Sequence, residues 1–547
     1  MIRPPLRLAA ALLASMALSV QAQPTAGAEP RFDIREFVVE GDTLLGTGAI
    51  ERAVYPFLGP DRSAADADGA RRALEKAYQD AGFLSVSVVL PPQRVDNSGG
   101  EVRLQVMQVT VEKLRVTGAQ HFLPSAIRDA LPSLAPGSVP DFNQMQQELA
   151  AVSRATPDRE LTPILAAGDT AGTIGVEIKV QDSLPLHGSL EINNKQSLNT
   201  QAGRLEATLS YDNLFQRLHS IGFNWLYAPK RPDEANIQTL SYQLPFGGQD
   251  DRLYAVYTHS DSNTPTALGG KTVSRGDTWR LRWRDALPVQ GPIGHALTWG
   301  LTYRDLQDSN VDVAGITTVP SPLRYTTFSA SYELDLTPEA VLGRSSRMQV
   351  ELTVSVPAFS ERTVPCFDGD TTPRSQFTCK RVGASAGFQV LGLTLQHREP
   401  LGRGWLSGRL QAQLSGTPLV PAEQAVYGGD DSVRGYYEGE QAGDQGVALR
   451  VEGGLAPWAA AEGFTIRALA FYDAALLHRQ EALPTEPTTT RLVSTGLGLR
   501  VQSGNGLQAS LDWARILRDT TRIDGNGLLE SLTRRGDKWT FSVRLAF

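Results

Sequence analysis

Apolar and polar residues alternate along the last two thirds of the chain, from about Leu186 to Phe547. In the segment 279–284, tryptophan and leucine alternate with arginine, and the segments 297–304 and 347–356 show the same period of two. Successive side chains of a β-strand point to opposite faces, so this period predicts strands with one apolar and one polar face. We count about sixteen such segments, each about ten residues long.

The N-terminal third has helical periodicity instead, and it repeats itself. Arg35–Gly41 resembles Glu112–Gly118, and each is followed by a short helix, a longer helix and two strands. The predicted elements are Thr47–Leu58, Ala65–Ala81, Leu84–Leu90 and Val102–Met107 in the first copy, and Leu123–Leu134, Asp141–Ala155, Leu161–Ala166 and Thr173–Val180 in the second. In the first long helix Ala70, Leu74, Ala77, Tyr78 and Ala81 share one apolar face.

The order β-α-α-β-β, occurring twice, predicts two small α+β domains over residues 32–108 and 109–183. This order resembles the POTRA (polypeptide-transport-associated) domain. The resemblance implies binding of extended client segments, commonly by addition of a strand to a sheet edge, without catalysis. Two purely structural spacers are the alternative.

The N-terminus predicts export. Arg3 and Arg7 precede the apolar stretch Leu8–Val20, and Val20–Ala22 gives a small-x-small cleavage pattern. We interpret residues 1–22 as a signal peptide, because the apolar run is too short for an anchor helix. No later run of about 18 apolar residues predicts a transmembrane helix. The soluble periplasm, secretion and an outer-membrane barrel remain as destinations.

Two features favour a transmembrane β-barrel over residues 186–547 rather than a soluble sandwich. The polar faces of the strands are heavily charged, as a water-filled lumen requires, and short links alternate with long ones. The long links are 307–323, 358–381 and 418–445. An even number of strands lets the last pair with the first, which removes edges that lipid would not tolerate. We therefore expect the outer membrane of a Gram-negative bacterium and contact with its lipids.

Composition narrows the possibilities further. The formal net charge of −7 argues against a nucleic-acid partner, which usually meets a basic face. The only two cysteines, Cys366 and Cys379, flank a loop-like sequence. In an exported protein they predict one disulfide that staples a loop; two free thiols or a metal pair are the alternatives.

The last segment alternates from Trp539 to the terminal Phe547. A final strand that ends in an aromatic residue is similar to the signal by which the barrel-assembly machinery recognises its clients. We therefore expect that machinery to be a partner during insertion. An ordinary last strand of a soluble sandwich is the alternative.

One long loop carries a distinctive motif. Gly428–Gly439 contains Val433-Arg434-Gly435-Tyr436, and two strands later comes Phe471-Tyr472-Asp473. These residues resemble the loop-tip motif and its inner-wall partner in two-partner secretion translocators (TpsB type, the haemolysin/adhesin secretion-activation family), within the wider superfamily of POTRA-plus-barrel proteins. The resemblance covers essentially the whole mature chain.

The resemblance implies that the long loop folds into the lumen, where Arg434 pairs with Asp473. Alternation in the strand 464–473 also points Asp473 inward. The pattern departs from the family where Ala475 replaces a frequent glycine. About ten residues between Gln23 and Phe32 are too few for the plug helix of many members, so we expect the loop to seal the pore alone.

Signs of catalysis are weak, and we predict no enzyme activity, metal or other cofactor. Gly383–Gly387 fits G-x-S-x-G, but its small residues alternate into a strand pattern rather than a strand-to-helix turn. The predicted function is secretion of an exported, unfolded partner protein through the barrel. A factor that assembles other outer-membrane proteins is the first alternative, and a passive porin or receptor is the second.

Overall fold

The computed structural model describes residues 30–547 except 42–43, 95–98, 199, 249, 262–265, 269–270, 274, 289–290, 292, 308–310, 314–315, 319–321, 338–342, 367–369, 462, 485 and 524–528. The predicted signal peptide lies outside the described residues. The chain divides into two compact units. The first contains residues up to Thr117 together with Arg128–Ala150 and Thr162–Lys179, and the second contains Gly118–Ile127, Ala151–Leu161 and Val180–Phe547.

The first repeat has the predicted order of elements. Its three-stranded sheet places Glu101–Met107 between the parallel strand Glu36–Glu40 and the antiparallel strand Ser87–Val89. The helices are Thr47–Val54 and Ala64–Asp80, the 3₁₀ turn is Tyr55–Phe57, and a further strand pair joins Phe32–Ile34 to Gly59–Arg62.

The long helix begins at a capping box, in which Ser63 and Asp66 satisfy each other's backbone N–H groups. Ala70, Leu74 and Tyr78 are buried on its apolar face, as the periodicity predicts. The strand predicted at Leu84–Leu90 is shorter than expected, because its first residues form a turn with the backbone N–H of Val86 donating to Phe83 O.

The second repeat follows the same plan. Thr110–Thr117 runs parallel to Thr173–Asp182, and Arg159–Ala167 lies at the other edge of that sheet. Its helices are Pro124–Asp129 and Phe142–Arg154, with a 3₁₀ turn at Pro132–Leu134. Asp141 caps the second of these helices, since its Oδ1 accepts the backbone N–H groups of Asn143 and Gln144.

Sixteen long antiparallel strands then close into a barrel, which confirms the predicted fold class. In chain order they are Leu186–Asn193, Arg204–Leu214, His219–Tyr227, Asn236–Pro245, Arg252–Ser260, Gly276–Ala286, Ile293–Leu306, Leu323–Leu336, Ser345–Ser355, Gln389–Leu401, Gly404–Ser415, Gln445–Leu455, Phe464–His478, Thr489–Ser503, Leu507–Ile516 and Gly536–Ala546. The last strand pairs with the first, so the sheet has no open edge.

The two faces of the barrel strands follow the predicted alternation. Trp279 is 42% exposed, and Leu281 and Trp283 are also exposed, whereas the arginines between them are half-buried on the inner face. Large apolar side chains are exposed on nearly every barrel strand, as a lipid-facing surface requires. Among the described helices, none is both long and apolar enough to cross a membrane.

Short and long connections alternate around the barrel. Residues 215–218, 402–403 and 504–506 form tight links, whereas 307–322, 356–388 and 416–444 are long. The long connections and their neighbours contain short elements: strand pairs at Thr266–Leu268/Lys271–Val273, Val311–Val313/Ile316–Thr318, Thr363–Val364/Arg374–Ser375, Ala425–Tyr427/Gln441–Gly443 and Thr520–Ile523/Leu529–Thr533, a strand at Trp458–Ala461, helices at Pro357–Ser360 and Gln376–Lys380, and a 3₁₀ turn at Pro421–Glu423.

The strand pattern expected at Gly383–Gly387 is wrong. This segment lies in a loop before the strand Gln389–Leu401. Ala384 and Ala386 are instead buried in an apolar cluster with Phe377 and Phe388. Tertiary packing of small side chains, not strand pairing, fixes this segment.

Candidate functional site

The connection at residues 416–444, called here the inward loop, lies inside the barrel. Most of its residues are buried although many are polar, including Glu423, Arg434, Glu440 and Asp444. A buried polar group must find a hydrogen-bonding partner or lose several kcal/mol on leaving water. The inward loop finds such partners on the barrel strands and on neighbouring connections, at five places.

The first place is the pair of Arg434 and Asp473. Arg434 Nε and Nη2 donate to the two carboxylate oxygens of Asp473 over 2.7 and 2.8 Å, and the Arg434 backbone N–H donates to the same carboxylate over 3.2 Å. The side chains are 1% and 0% exposed. This is the two-pronged geometry in which a guanidinium binds a carboxylate most strongly.

Two further wall residues hold the same guanidinium. Arg434 Nη1 lies 2.7 Å from Glu452 Oε1, and Arg434 Cζ lies 3.5 Å from the centre of the Phe471 ring. Phe471 and Asp473 alternate on the inner face of one strand, so their spacing places the ring and the carboxylate on the same side. The structure therefore brings together Arg434, Phe471 and Asp473, as the resemblance implies.

The remaining motif residues fix the loop tip. Val433 is buried in an apolar cluster that also contains Ala475. Gly435 has a φ of +93°, and an added Cβ would come within 3.0 Å of Ala514 and Ile516. A residue with a side chain is therefore both strained and crowded at this position.

Tyr436 ties the loop tip to a strand and a loop. Its hydroxyl accepts the backbone N–H of Val493 over 3.1 Å and donates to Arg518 O over 2.7 Å. Burial and contacts thus account for every residue of the motif, each by a different kind of interaction.

The second place is at the base of the inward loop. The Asp444 carboxylate is fully buried and receives both ends of the Arg381 guanidinium, with Arg381 Nη2 at 2.7 Å. It also accepts backbone N–H groups from Leu419 and Gln480 over 2.9 and 2.7 Å. Since Leu419 and Asp444 lie near opposite ends of the inward loop, this cluster closes the loop at its base.

Two more acidic residues hold the loop between its base and its tip. Glu423 pairs with Arg304 and accepts the Tyr325 hydroxyl over 2.8 Å. Glu440 accepts the hydroxyl of Thr533 over 2.7 Å and that of Thr520. These two carboxylates anchor the two legs of the loop on different strands.

Near the tip, Asp430 lies 2.9 Å from Lys195 Nζ. The neighbouring Glu438 accepts the Asp430 backbone N–H over 2.8 Å, and its own backbone N–H donates to Gln196 O. Burial raises the pKa of the Glu438 carboxyl, because the charged form loses water. The residue pair Ser197 and Glu438 forms an isolated parallel β-bridge.

Sequence reasoning missed the anchors other than Arg434 and Asp473. Arg381 and Asp444 are 63 positions apart, and Arg304 and Glu423 are 119 apart, so no short motif joins them. The available signal was weak: isolated acidic residues within a long connection, an arginine at an inward position of a strand (Arg304) and an arginine in another connection (Arg381).

The two cysteines are bonded to each other. Cys366 and Cys379 lie 13 positions apart in the connection 356–388. The same connection carries Phe377, which packs in an apolar cluster with Leu419 and Val420 of the inward loop. The stapled connection therefore holds both Arg381 and an apolar contact against the base of the loop.

Phe547 lies at the seam where the barrel closes. Its backbone exchanges two hydrogen bonds of 3.0 Å with Gly188, while its side chain is 72% exposed. A Cβ on Gly188 would meet the Phe547 ring at 2.3 Å. Only glycine therefore lets the terminal ring lie across this position of the first strand.

One group among the described residues could supply metal ligands. Asp158, His187 and Asp212 place an imidazole nitrogen and two carboxylate oxygens within 4.8 Å of one another. His187 Nε2 is 3.0 Å from Asp158 and 3.6 Å from Asp212, which is the spacing of ordinary ion pairs or hydrogen bonds. The group carries no metal assignment.

Comparison with known proteins places these features in context. The sequence profile described as "Haemolysin secretion/activation protein ShlB/FhaC/HecB" matches residues 172–501, and that of the ShlB-type POTRA domain matches residues 32–108. The outer membrane transporter CdiB of Escherichia coli is 27% identical over 508 residues, covering 90% of this chain and 80% of that protein.

Solved structures share the fold. CdiB from Escherichia coli superposes with a TM-score of 0.64 at 22% identity, covering 97% of this chain and 93% of that one. CdiB from Acinetobacter baumannii gives 0.58 at 15% identity, over 95% and 91% of the two chains. BamA from Haemophilus ducreyi lacking POTRA domains 1–3 gives 0.53 at 14% identity, over 94% and 100%.

Proposed function

Because the chain belongs to the ShlB/FhaC/HecB family of haemolysin secretion/activation proteins, we propose that it secretes a separate, unfolded partner protein through the lumen of its barrel. It is an outer-membrane transporter whose POTRA region lies in the periplasm. In the proposed cycle the inward loop leaves its place when the client enters, and the client folds outside the cell. The chain acts without catalysing a reaction.

One observation carries this proposal. The lumen of a closed barrel is occupied by a loop whose tip is held by the buried pair Arg434 and Asp473. A passive pore does not need a polar loop with buried ion pairs in its channel. Such a loop suits a channel that stays closed until a client displaces it.

Capture of the client is assigned to the POTRA sheets. Arg159–Ala167 and Glu36–Glu40 each form an edge of a three-stranded sheet. An extended client segment can add to such an edge through main-chain hydrogen bonds, which do not depend on its sequence. The periplasm supplies no ATP, so folding of the client outside the cell would give the transport its direction.

Insertion of the transporter itself needs further partners. The terminal Phe547 is proposed as the signal by which the barrel-assembly machinery recognises the last strand. The exposed apolar side chains of the strands are proposed to contact outer-membrane lipids.

The test is secretion of the protein encoded beside this gene. We expect that neighbour in the culture medium only when this chain is co-expressed, and we expect Arg434→Ala to abolish its release while the barrel still inserts. The exposed Arg72→Ala serves as the matched control, since Arg72 lies on a surface helix far along the chain from the loop. Unchanged secretion by Arg434→Ala would remove the inward loop from the mechanism.

A factor that assembles other outer-membrane proteins is the second candidate. The shared fold with BamA from Haemophilus ducreyi favours it, whereas membership of a secretion/activation family favours secretion. Deletion of the gene separates the two. Loss of many unrelated outer-membrane proteins would support assembly, and loss of one secreted protein would support secretion.

A further inference from the structure

One strand of the barrel carries a row of arginines on its inner face. Arg280, Arg282 and Arg284 alternate with exposed lipid-facing residues in the strand Gly276–Ala286, and all three are half-buried. We call these three residues the arginine ladder. A row of like charges on one strand is unfavourable in isolation, so its presence calls for partners of opposite charge.

The wall itself supplies few partners. Arg282 lies 3.8 Å from Glu351 and Arg284 lies 3.7 Å from Glu333, both longer than a charge-assisted hydrogen bond. Within the described residues, Arg280 has no carboxylate within 4.0 Å. The nearby Arg304 is already paired with Glu423 of the inward loop. The ladder therefore keeps unused capacity to bind anionic groups.

The ladder faces open space. A cavity of about 640 Å³ is lined by the three arginines and by residues of four neighbouring strands, such as Tyr254, Thr302 and Ser329. The described residues that line it all belong to barrel strands, and none belongs to the inward loop. The loop tip instead contacts strands that begin at Gln445 and later in the chain. The cavity is thus a part of the lumen that stays free while the inward loop is in place.

The spacing of the ladder matches an extended polypeptide. Residues two positions apart on a strand lie about 7 Å apart along it, since each residue advances by about 3.3 Å. An extended client has the same repeat for side chains on one face. Acidic residues at alternate positions of a client can therefore meet successive arginines.

We propose that the arginine ladder binds carboxylates of the extended polypeptide that passes through the lumen. This inference rests on the proposed secretion function, because a client must enter the barrel for the ladder to meet it. The client then passes along the side of the lumen that carries the ladder. Displacement of the inward loop widens the cavity on that side. Clients with acidic stretches are favoured over basic ones.

The test uses the purified full-length protein in detergent and two labelled probes, hexaglutamate and hexalysine, with binding followed by fluorescence anisotropy. We expect hexaglutamate to bind more tightly than hexalysine, and binding to weaken as salt rises. The triple variant Arg280→Gln/Arg282→Gln/Arg284→Gln should weaken hexaglutamate binding by about tenfold, because charge-assisted contacts are lost. Arg72→Gln/Arg128→Gln/Arg154→Gln removes the same charge from exposed positions elsewhere and should leave binding within about twofold of wild type.

Three results would overturn the inference: equal binding of the two probes, an unchanged affinity in the ladder variant, or an equal loss in the control variant. Correct folding of each variant is checked by the mobility of the unheated barrel on gels. Should the triple variant fail to fold, Arg280→Gln alone is used, with an expected loss of about threefold. Failed secretion of the neighbouring protein with intact probe binding would count against the proposed function and not against the ladder.

Discussion

The guanidinium of Arg434 is held by more contacts than a simple ion pair needs. It binds Asp473 with two nitrogens, lies beside Glu452 and stacks on the Phe471 ring. Bringing these charges out of water is costly, and the attraction offsets that cost only with good geometry. Because the Arg434 guanidinium has this many partners, its contacts strongly favour one position of the loop tip. Such contacts suit a loop that must be held firmly inside the barrel.

A double-mutant cycle tests this preference. Arg434→Met and Asp473→Leu should each destabilise the barrel by about 3 kcal/mol, because each removes one partner of a buried two-pronged ion pair. The double variant should be less destabilised than the sum of the two changes, since no charge then remains unpaired at this pair. Thermal unfolding followed by tryptophan fluorescence in detergent measures all four proteins. Strictly additive changes would show that the two residues do not act as a pair.

Glu438 predicts a pH dependence. Burial raises the pKa of the Glu438 carboxyl in the folded state, because burial favours the neutral, protonated form. The protonated carboxyl therefore contributes to the free energy of unfolding at low pH, and this contribution is lost as pH rises through the raised pKa. Glu438→Gln keeps an acceptor for the Asp430 N–H without the charge. The variant should therefore be more stable than wild type at pH 8 and no more stable at pH 5, by the same unfolding measurement. If the variant were less stable than wild type at pH 8, the buried charge of Glu438 would not be unfavourable as argued.

At the scale of elements, the inward loop is fixed at its base as well as at its tip. Arg381 and Asp444 close the base, and the disulfide Cys366–Cys379 lies in the same connection as Arg381, residues 356–388. Loops are usually the mobile parts of a protein. Here the inward loop, residues 416–444, has buried polar contacts at its base, along both legs and at its tip. Several contacts must therefore break before the loop can move.

Loosening the base should make the membrane leaky without stopping secretion. Asp444→Asn and Arg381→Met each remove one side of the buried base contact, while the tip contact of Arg434 remains. We expect higher sensitivity of cells to large antibiotics that the outer membrane normally excludes, with secretion kept at half the wild-type level or more. Arg491→Met, on the strand Thr489–Ser503, is the control for loss of a barrel arginine. Unchanged sensitivity in both base variants would show that the base does not help to seal the lumen.

Much of this arrangement is predictable from sequence, for a physical reason. Lipid on one side and water on the other impose a period of two on every strand. The residue type at positions such as Trp279 and Arg280 therefore predicts which side of the barrel each one faces. The contact of Arg434 with Asp473 followed from a motif resemblance. The anchors Glu423 and Asp444 were not predictable, because a loop of irregular conformation has no period and its partners lie far away in the chain.

At the scale of the whole molecule, the barrel is closed by a short seam. The first and last strands share five paired positions, from Ser189 with Ala546 to Asn193 with Ser542, and the backbone pair of Gly188 and Phe547 extends the seam by one position. Phe464–His478 and Thr489–Ser503 share fifteen. Fewer paired positions mean fewer hydrogen bonds between the strands. The seam is therefore the place where a barrel that opened sideways would part.

Locking the seam distinguishes passage through the lumen from passage through the wall. Ser189→Cys/Ala546→Cys places cysteines at directly paired positions of the first and last strands. If the client passes through the lumen, secretion should continue at near the wild-type level when this bond is formed. Secretion that is lost on oxidation and restored by reductant would instead indicate lateral opening, as an assembly factor requires.

Tying the inward loop in place tests most directly whether the client must displace it. Ser197 and Glu438 are bridged backbone to backbone, so Ser197→Cys/Glu438→Cys can form a bond that fixes the loop to the connection between the first two barrel strands. Release of the neighbouring protein into the medium is measured with this bond oxidised and then reduced. If the client must displace the loop, oxidation stops secretion, reduction restores it, and each single cysteine variant secretes under both conditions. Full secretion with the loop tethered would show that the client passes without displacing it.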